Sequence, residues 1–210
     1  MLHVERFINQ LMTSNCYLVV DEDSMHCICI DPASEKSERK IKYIEKNELV
    51  LDYILLTHEH TDHTWGVNAL VERYPNTQVI CSEVCKQNLA KEFQAYFLFY
   101  YDNPDYCYTV CKVDKTIEEL KGSLEWSNNT ILFFPAPGHS MGSVCISLKG
   151  MLFTGDAIMQ TKPYINKRNG SKELFYESAK KVVEAFPSDT IVYPGHGDLF
   201  KLRDYKLFIL

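Results

Sequence analysis

With 210 residues, 46% of them apolar and 24% charged, the chain has the material for one well-packed domain and not the composition of a disordered polymer. A net charge of −6, with no basic run longer than a pair such as Lys167-Arg168, speaks against a nucleic-acid partner. No stretch approaches the roughly eighteen apolar residues of a membrane span, and "MLHVERFINQLM" is too polar for a secretory leader, so a cytoplasmic location away from membranes is expected.

The first elements read as strands: "HVERFI", "CYLVV" and "HCICID" are short β-branched or aromatic runs separated by polar turns. "DPASEKSERKIKYIEKNE" reads as a helix, with Pro32 and Ser34 at its start and Ile41, Ile44 and Leu49 along its apolar stripe. "LDYILLT" is a continuous apolar strand, expected to be buried on both faces. A helix follows from about Thr64 to Tyr74, with Val67, Leu70, Val71 and Tyr74 at helical spacing. "TQVICS" is the next strand, and Ser82 can cap a helix over "EVCKQNLAKEF".

In residues 92–108, eight of seventeen side chains are Phe or Tyr. That surplus reads as a wall or lid beside a site, as a contact that leaves room for a homodimer, or as plain core. Strands "YTVCKV", "GSLEW", "TILFFPA", "GSVCISL" and "GMLFTGD" come next, then a helix "KELFYESAKKVVEAF" and a strand "TIVYPGHG". Strand blocks and helices in both halves indicate α/β layers, with two sheets or one large mixed sheet. The expectation is a single domain over 1–210 with an aromatic-rich insert at about 86–108. The eight cysteines form no CxxC pair or zinc spacing and are expected to be reduced, mostly buried thiols; Cys27 and Cys29 share one face of a strand.

"ILLTHEHTDHTWG" places three of the seven histidines, with an aspartate, in six positions at the end of a buried strand. Ligand sites in α/β proteins favour that place. His58 and His60, two apart in extended chain, can point to one side; Asp62 and His63 follow as a helix begins. Imidazole nitrogens and carboxylate oxygens are ready ligands for divalent metals. His139 in "APGHSMGS", His196 in "YPGHGD" and Asp156 in "LFTGD" repeat one arrangement: apolar strand, glycine turn, metal-competent side chain. His3 and His26 lie in strands without such a pattern and are read as structural. Ser140 and Thr57 are adjacent candidates to orient the imidazoles.

Taken in order, "THEHTDH", "PAPGHSMGSV", "FTGD" and "YPGHG" resemble the successive metal motifs of the metallo-β-lactamase fold superfamily, and within it the glyoxalase II-like branch. The resemblance implies a four-layer αββα sandwich with metals at one edge. It implies His58, His60 and His139 on one ion, Asp62, His63 and His196 on a second, and Asp156 bridging them. The implied activity is that of a dinuclear metal-dependent hydrolase acting on a small-molecule substrate. Hydroxide shared by two divalent ions would attack an ester, thioester or lactone carbonyl, with Asp62 orienting it or taking its proton. Zinc is the first expectation for both ions, with iron or manganese as alternatives.

Only fourteen residues follow His196, where glyoxalase II continues into a helical domain that helps hold glutathione, so a short helix is expected there and a substrate simpler and more apolar than a glutathione thioester. Residues 164–173 form a second expected rim, in which Lys167 and Arg168 read first as a solvated surface pair and second as a contact for a substrate carboxylate. Two other readings are a mononuclear iron persulfide dioxygenase using His58, His139 and Asp156, and a non-catalytic binding module.

Overall fold

The computed structural model describes residues 1–90, 108–166 and 169–207. Strands β1 (Leu2–Ile8), β2 (Asn15–Asp21), β3 (His26–Ile30), β4 (Val50–Leu55), β5 (Gln78–Cys81) and β6 (Lys115–Thr116) form one six-stranded sheet in that order. Strands β7 (Ser123–Trp126), β8 (Asn129–Pro135), β9 (Val144–Leu148), β10 (Met151–Gly155), β11 (Ile191–Pro194) and β12 (Phe200–Lys201) form the other. Helices α1 (Glu38–Lys46), α2 (Thr61–Thr64), α3 (Val67–Arg73) and α4 (Glu83–Leu89) follow strands of the first sheet, and α5 (Lys172–Ala185) precedes β11 of the second.

Alternation along the strands explains the four layers. In β2 every residue is buried. Cys16, Leu18 and Val20 face Ile44, Val67, Leu70 and Cys85 of the helices, while Tyr17 and Val19 face the second sheet. β3 divides in the same way: Cys27 and Cys29 lie toward the helices, and Ile28 and Ile30 meet Ile131, Ile146 and Phe153 between the sheets. The far side of the second sheet packs Cys145, Leu152 and Val192 against Ala179 and Val182 of α5. Each fully buried Ile, Leu or Phe there contributes about 1.5–3 kcal/mol of burial. Cys16, Cys27, Cys29, Cys81, Cys85 and Cys145 are buried thiols, and Cys111 is exposed.

Four local expectations differ from what forms. Helix α1 starts at Glu38, not near Pro32, because residues 32–37 spend their polar groups on Gly66: its N–H donates to the Pro32 carbonyl, and Ser37 Oγ donates to the carbonyls of Ser34 and Gly66. The helix expected over 64–74 is two pieces, α2 and α3, broken at Trp65-Gly66. "YTVCKV" is a loop, held by Asn68, which donates to the Thr109 carbonyl and accepts from Cys111 N–H. The stretch after His196 carries the short strand β12 and a turn of 3-10 helix at Leu202–Asp204 where one short helix was expected.

Ser82 caps α4 as its sequence suggests, accepting from Cys85 N–H at 3.1 Å. Of the aromatic segment, all but Tyr108 lies outside the described residues, as do Lys167 and Arg168. Among the described residues no helix is long and apolar enough to cross a membrane.

Strands β3 and β4 pair in parallel, as do β10 and β11. The carboxyl ends of these four strands lie on one edge of the sandwich and lead directly into Asp31, the His58–His63 loop, Asp156 and His196.

Candidate metal centre

The β4–α2 loop leaves Leu55 in extended form, so His58 and His60 point to the same side, and His139 arrives from the β8–β9 loop. Their ring nitrogens converge: His60 Nδ1 is 3.1 Å from His58 Nε2 and 2.9 Å from His139 Nε2. A second group forms where α2 meets the end of β11. Asp62 Oδ2 is 3.2 Å from His196 Nε2 and 3.5 Å from His63 Nε2. Asp156, one residue past β10, reaches both groups. Its Oδ2 is 3.4 Å from His139 Nε2 and 3.8 Å from His196 Nε2, and its Oδ1 is 3.5 Å from His63 Nε2.

All seven residues singled out in the sequence therefore meet at one place. His58, His63, His139 and Asp156 are buried, while His60, Asp62 and His196 are partly open to a cleft of about 650 Å³. His3 and His26 lie elsewhere: His3 near Glu5 on β1, and His26 against Asp52, which also accepts from Trp126 Nε1.

The backbone is shaped for this convergence. Gly155 has φ +48°, and a Cβ there would strike the Thr57 side chain. A Cβ on Gly195 would run into the Asp156 carboxylate and the His63 ring. The amino end of β2 holds the His196 turn: Asn15 Nδ2 donates to the carbonyls of Pro194 and Gly197, and Tyr17 OH donates to Pro194.

Two buried carboxylates were not singled out in the sequence. Asp31 (2% exposed) accepts from Thr57 N–H and Thr57 Oγ1, and its Oδ2 is 3.0 Å from His63 Nδ1. Thr57 Oγ1 in turn lies 3.0 Å from His58 Nδ1. A proton on Nδ1 of each ring satisfies these contacts and leaves Nε2 of His58 and His63 free as a ligand atom. Asp31 had the right signal, an acidic residue ending an apolar strand before a proline. Thr57 meets His58 as expected. Ser140 does not meet an imidazole but donates to the second carboxylate, Glu59, at 2.5 Å.

Protons distinguish the two groups. Burial, with the other imidazoles, pushes His58 well below its ordinary pKa and His139 down to about 4, where Asp156 only partly opposes the fall. Burial also lowers His60, against Glu59 and Asp62. For His63 burial acts the same way, but Asp62, Asp156 and Asp31 outweigh it and raise the ring to about 10. His196 is raised by Asp62 and Asp156 against burial. Burial favours the neutral form of Asp62 too, yet His63 and His196 hold it well below the usual carboxylate range.

These residues fit divalent ions. His63 Nε2 and Asp156 Oδ1 are buried without a hydrogen-bond partner among the described residues, although they face each other at 3.5 Å. Orphaned buried polar atoms are costly. Ligand atoms on one tetrahedral zinc, with bonds near 2.0–2.1 Å, sit about 3.3 Å apart, close to this spacing and to those within each group.

The sequence profile of the Metallo-beta-lactamase superfamily matches residues 10–196. The chain belongs to this superfamily. Its metallo-beta-lactamase fold is matched over 96% of the chain by a solved B3 metallo-beta-lactamase, BLEG-1, at a TM-score of 0.83 and 25% identity, covering 95% of that protein. A hydroxyacylglutathione hydrolase of Buchnera aphidicola subsp. Schizaphis graminum is 33% identical over 192 residues, 89% of this chain and 63% of that relative. The "Probable polyketide biosynthesis zinc-dependent hydrolase BaeB" of Bacillus velezensis is 26% identical over 93% of this chain and 78% of its own. The chain spans less than two thirds of the hydroxyacylglutathione hydrolase it matches.

Proposed function

We propose that the chain is a metal-dependent hydrolase, one catalytic domain over its 210 residues, that holds two divalent cations. Zinc is the first choice for both, with iron or manganese as alternatives. His58, His60 and His139 hold one ion, Asp62, His63 and His196 the other, and Asp156 is shared. The observation that carries this reading is the Asp156 carboxylate, with Oδ2 at 3.4 Å from a member of the first set and Oδ1 at 3.5 Å from a member of the second.

Two such ions supply a water ionised near neutral pH and an electrophile for a carbonyl oxygen. The side chains do the rest. Asp62, held ionised by His63 and His196, faces the cleft and accepts a proton from the attacking water or orients it. Asp31 and Thr57 fix the ring tautomers, so no reorganisation is needed as charge develops. Ile8, Met12, Met159 and Tyr164 line the cleft beside the histidines and suit a partly apolar acyl group. The substrate class is an ester, thioester or lactone.

The test is metal analysis of the purified protein followed by turnover on a panel of thioesters, lactones and phosphodiesters. Carbonyl-ester hydrolysis that chelation abolishes and zinc restores is expected. A single bound iron with oxygen uptake and sulfite production from a persulfide would replace this reading with that of a mononuclear dioxygenase.

A further inference from the structure

Glu59 stands between two of the proposed ligands yet points away from the cleft, and it is 1% exposed. Its Oε2 accepts from Ser140 Oγ at 2.5 Å, and its Oε1 accepts from Asn88 Nδ2 of α4 at 2.7 Å. Ser140 is fully buried and immediately follows His139. Its Oγ also accepts from Gly142 N–H at 3.0 Å, and the Gly142 carbonyl accepts from Ser82 Oγ at the start of α4. There is no room for this loop to drift: a Cβ on Gly142 would lie about 3.0 Å or less from Cys85 backbone and 3.0 Å from Glu59 Oε2.

We infer that Glu59 is a positioning residue for the three-histidine set. It ties the loop bearing His58 and His60 to the loop bearing His139 through the hydroxyl of Ser140, and so sets the affinity of that set for its ion. Three facts converge on it. The three ring nitrogens come from two loops that are far apart in sequence, and their 2.9–3.1 Å spacing requires those loops to be held in register. One other tie between them is near by, from Val144 N–H to the Thr57 carbonyl, but Val144 opens β9, five residues past His139. The Glu59–Ser140 contact, in contrast, joins residues directly beside His58, His60 and His139. A buried carboxylate with two neutral donors is costly unless a cation lies close, and the three-histidine ion would be that cation. The second set does not use this tie; its His63 is held by Asp31.

This inference rests on the proposed ligand sets, and the experiment separates the two. Glu59→Gln and Ser140→Ala are loaded with cadmium, and NMR of the metal reads the three-nitrogen and the nitrogen–carboxylate positions as separate signals while a chelator is titrated in. Both variants are expected to lose the ion at the three-histidine set about 10–100-fold more readily than the wild type and to keep the other within a few-fold. The retained ion is the internal control: a merely structural defect would weaken both together. Equal loss of both ions, or wild-type retention at the three-histidine set in either folded variant, would overturn the role of Glu59 alone. A wild-type protein that gives no three-nitrogen signal would overturn the ligand reading itself, and this inference with it.

Discussion

His58, His60 and His139 are held below their ordinary pKa by burial and by neighbouring imidazoles, His63 among them, with His139 at about 4. A few ångströms away, His63 is raised to about 10 and His196 is raised as well, because Asp62 and Asp156 face both and Asp31 faces His63. The residue types are nearly the same; carboxylates outweigh burial at His63 and His196 and fail to outweigh it at His60 and His139. The first set offers neutral nitrogens to a cation at any pH near neutrality. The second holds a proton that a cation must displace, so its occupancy is tied to pH. On the proposed ligand assignment, such a site would gain one ion by preformed geometry and the other by exchange for a proton.

The largest effect should come from Asp156→Ala, which removes the side chain common to both sets. Turnover is expected to fall by more than about a hundredfold, with weaker retention of both ions and an unchanged circular dichroism spectrum. Wild-type turnover in this variant would end the shared-ligand assignment.

Thr57→Val separates the sets. It cuts the relay from Asp31 to His58 Nδ1 but leaves Asp31 on His63. Chelator competition should show about 10–100-fold weaker binding at the three-histidine set and a much smaller change at the other. Equal weakening of both would mean that the sets are not held independently.

The pH dependence sharpens the contrast further. His63, with its pKa raised to about 10, is protonated in the metal-free site below that pH. Affinity at its set should therefore fall by at least about tenfold for each unit of acidification, and more steeply once His196 is protonated too. The three-histidine set should weaken less over the same range, because all three rings titrate below the ordinary imidazole value, His139 at about 4. Titrations at several pH values between these limits read both slopes, and parallel slopes would contradict the account.

The smallest effect belongs to His3→Ala and His26→Ala. His3 is on β1 near Glu5 and His26 is bonded to Asp52, both away from the cleft. Turnover should stay at the wild-type level, with stability changed by no more than about 1 kcal/mol. A large loss of activity in either would show that the site extends further than the two sets.

What could be read from the chain alone follows from how local each signal is. The seven site residues stand at strand ends, next to glycines or at alternate positions in extended chain, and such patterns survive folding unchanged. The longer strands of both sheets were clear, because alternation and β-branched runs are local, while the two-residue strands β6 and β12 were not read. Misreadings arose where distant backbone took over. Residues 32–37 look like a helix start, but Gly66 takes their polar groups. "YTVCKV" alternates like a strand, yet Asn68 holds it as a loop. Glu59 was legible only as a neighbour of two histidines; its partner Ser140 lies 81 residues away, and nothing local announces that pairing.

The central claim is that two complete ligand sets share Asp156, and the most direct test of it counts ions. Elemental analysis of the purified, metal-replete chain after removal of loosely bound ions should give close to two divalent ions per chain above neutral pH. It should fall toward one as the pH is lowered and the Asp62–His63–His196 set takes back its proton. A single tightly held ion at every pH, with Asp62, His63 and His196 dispensable for holding it, would contradict the account.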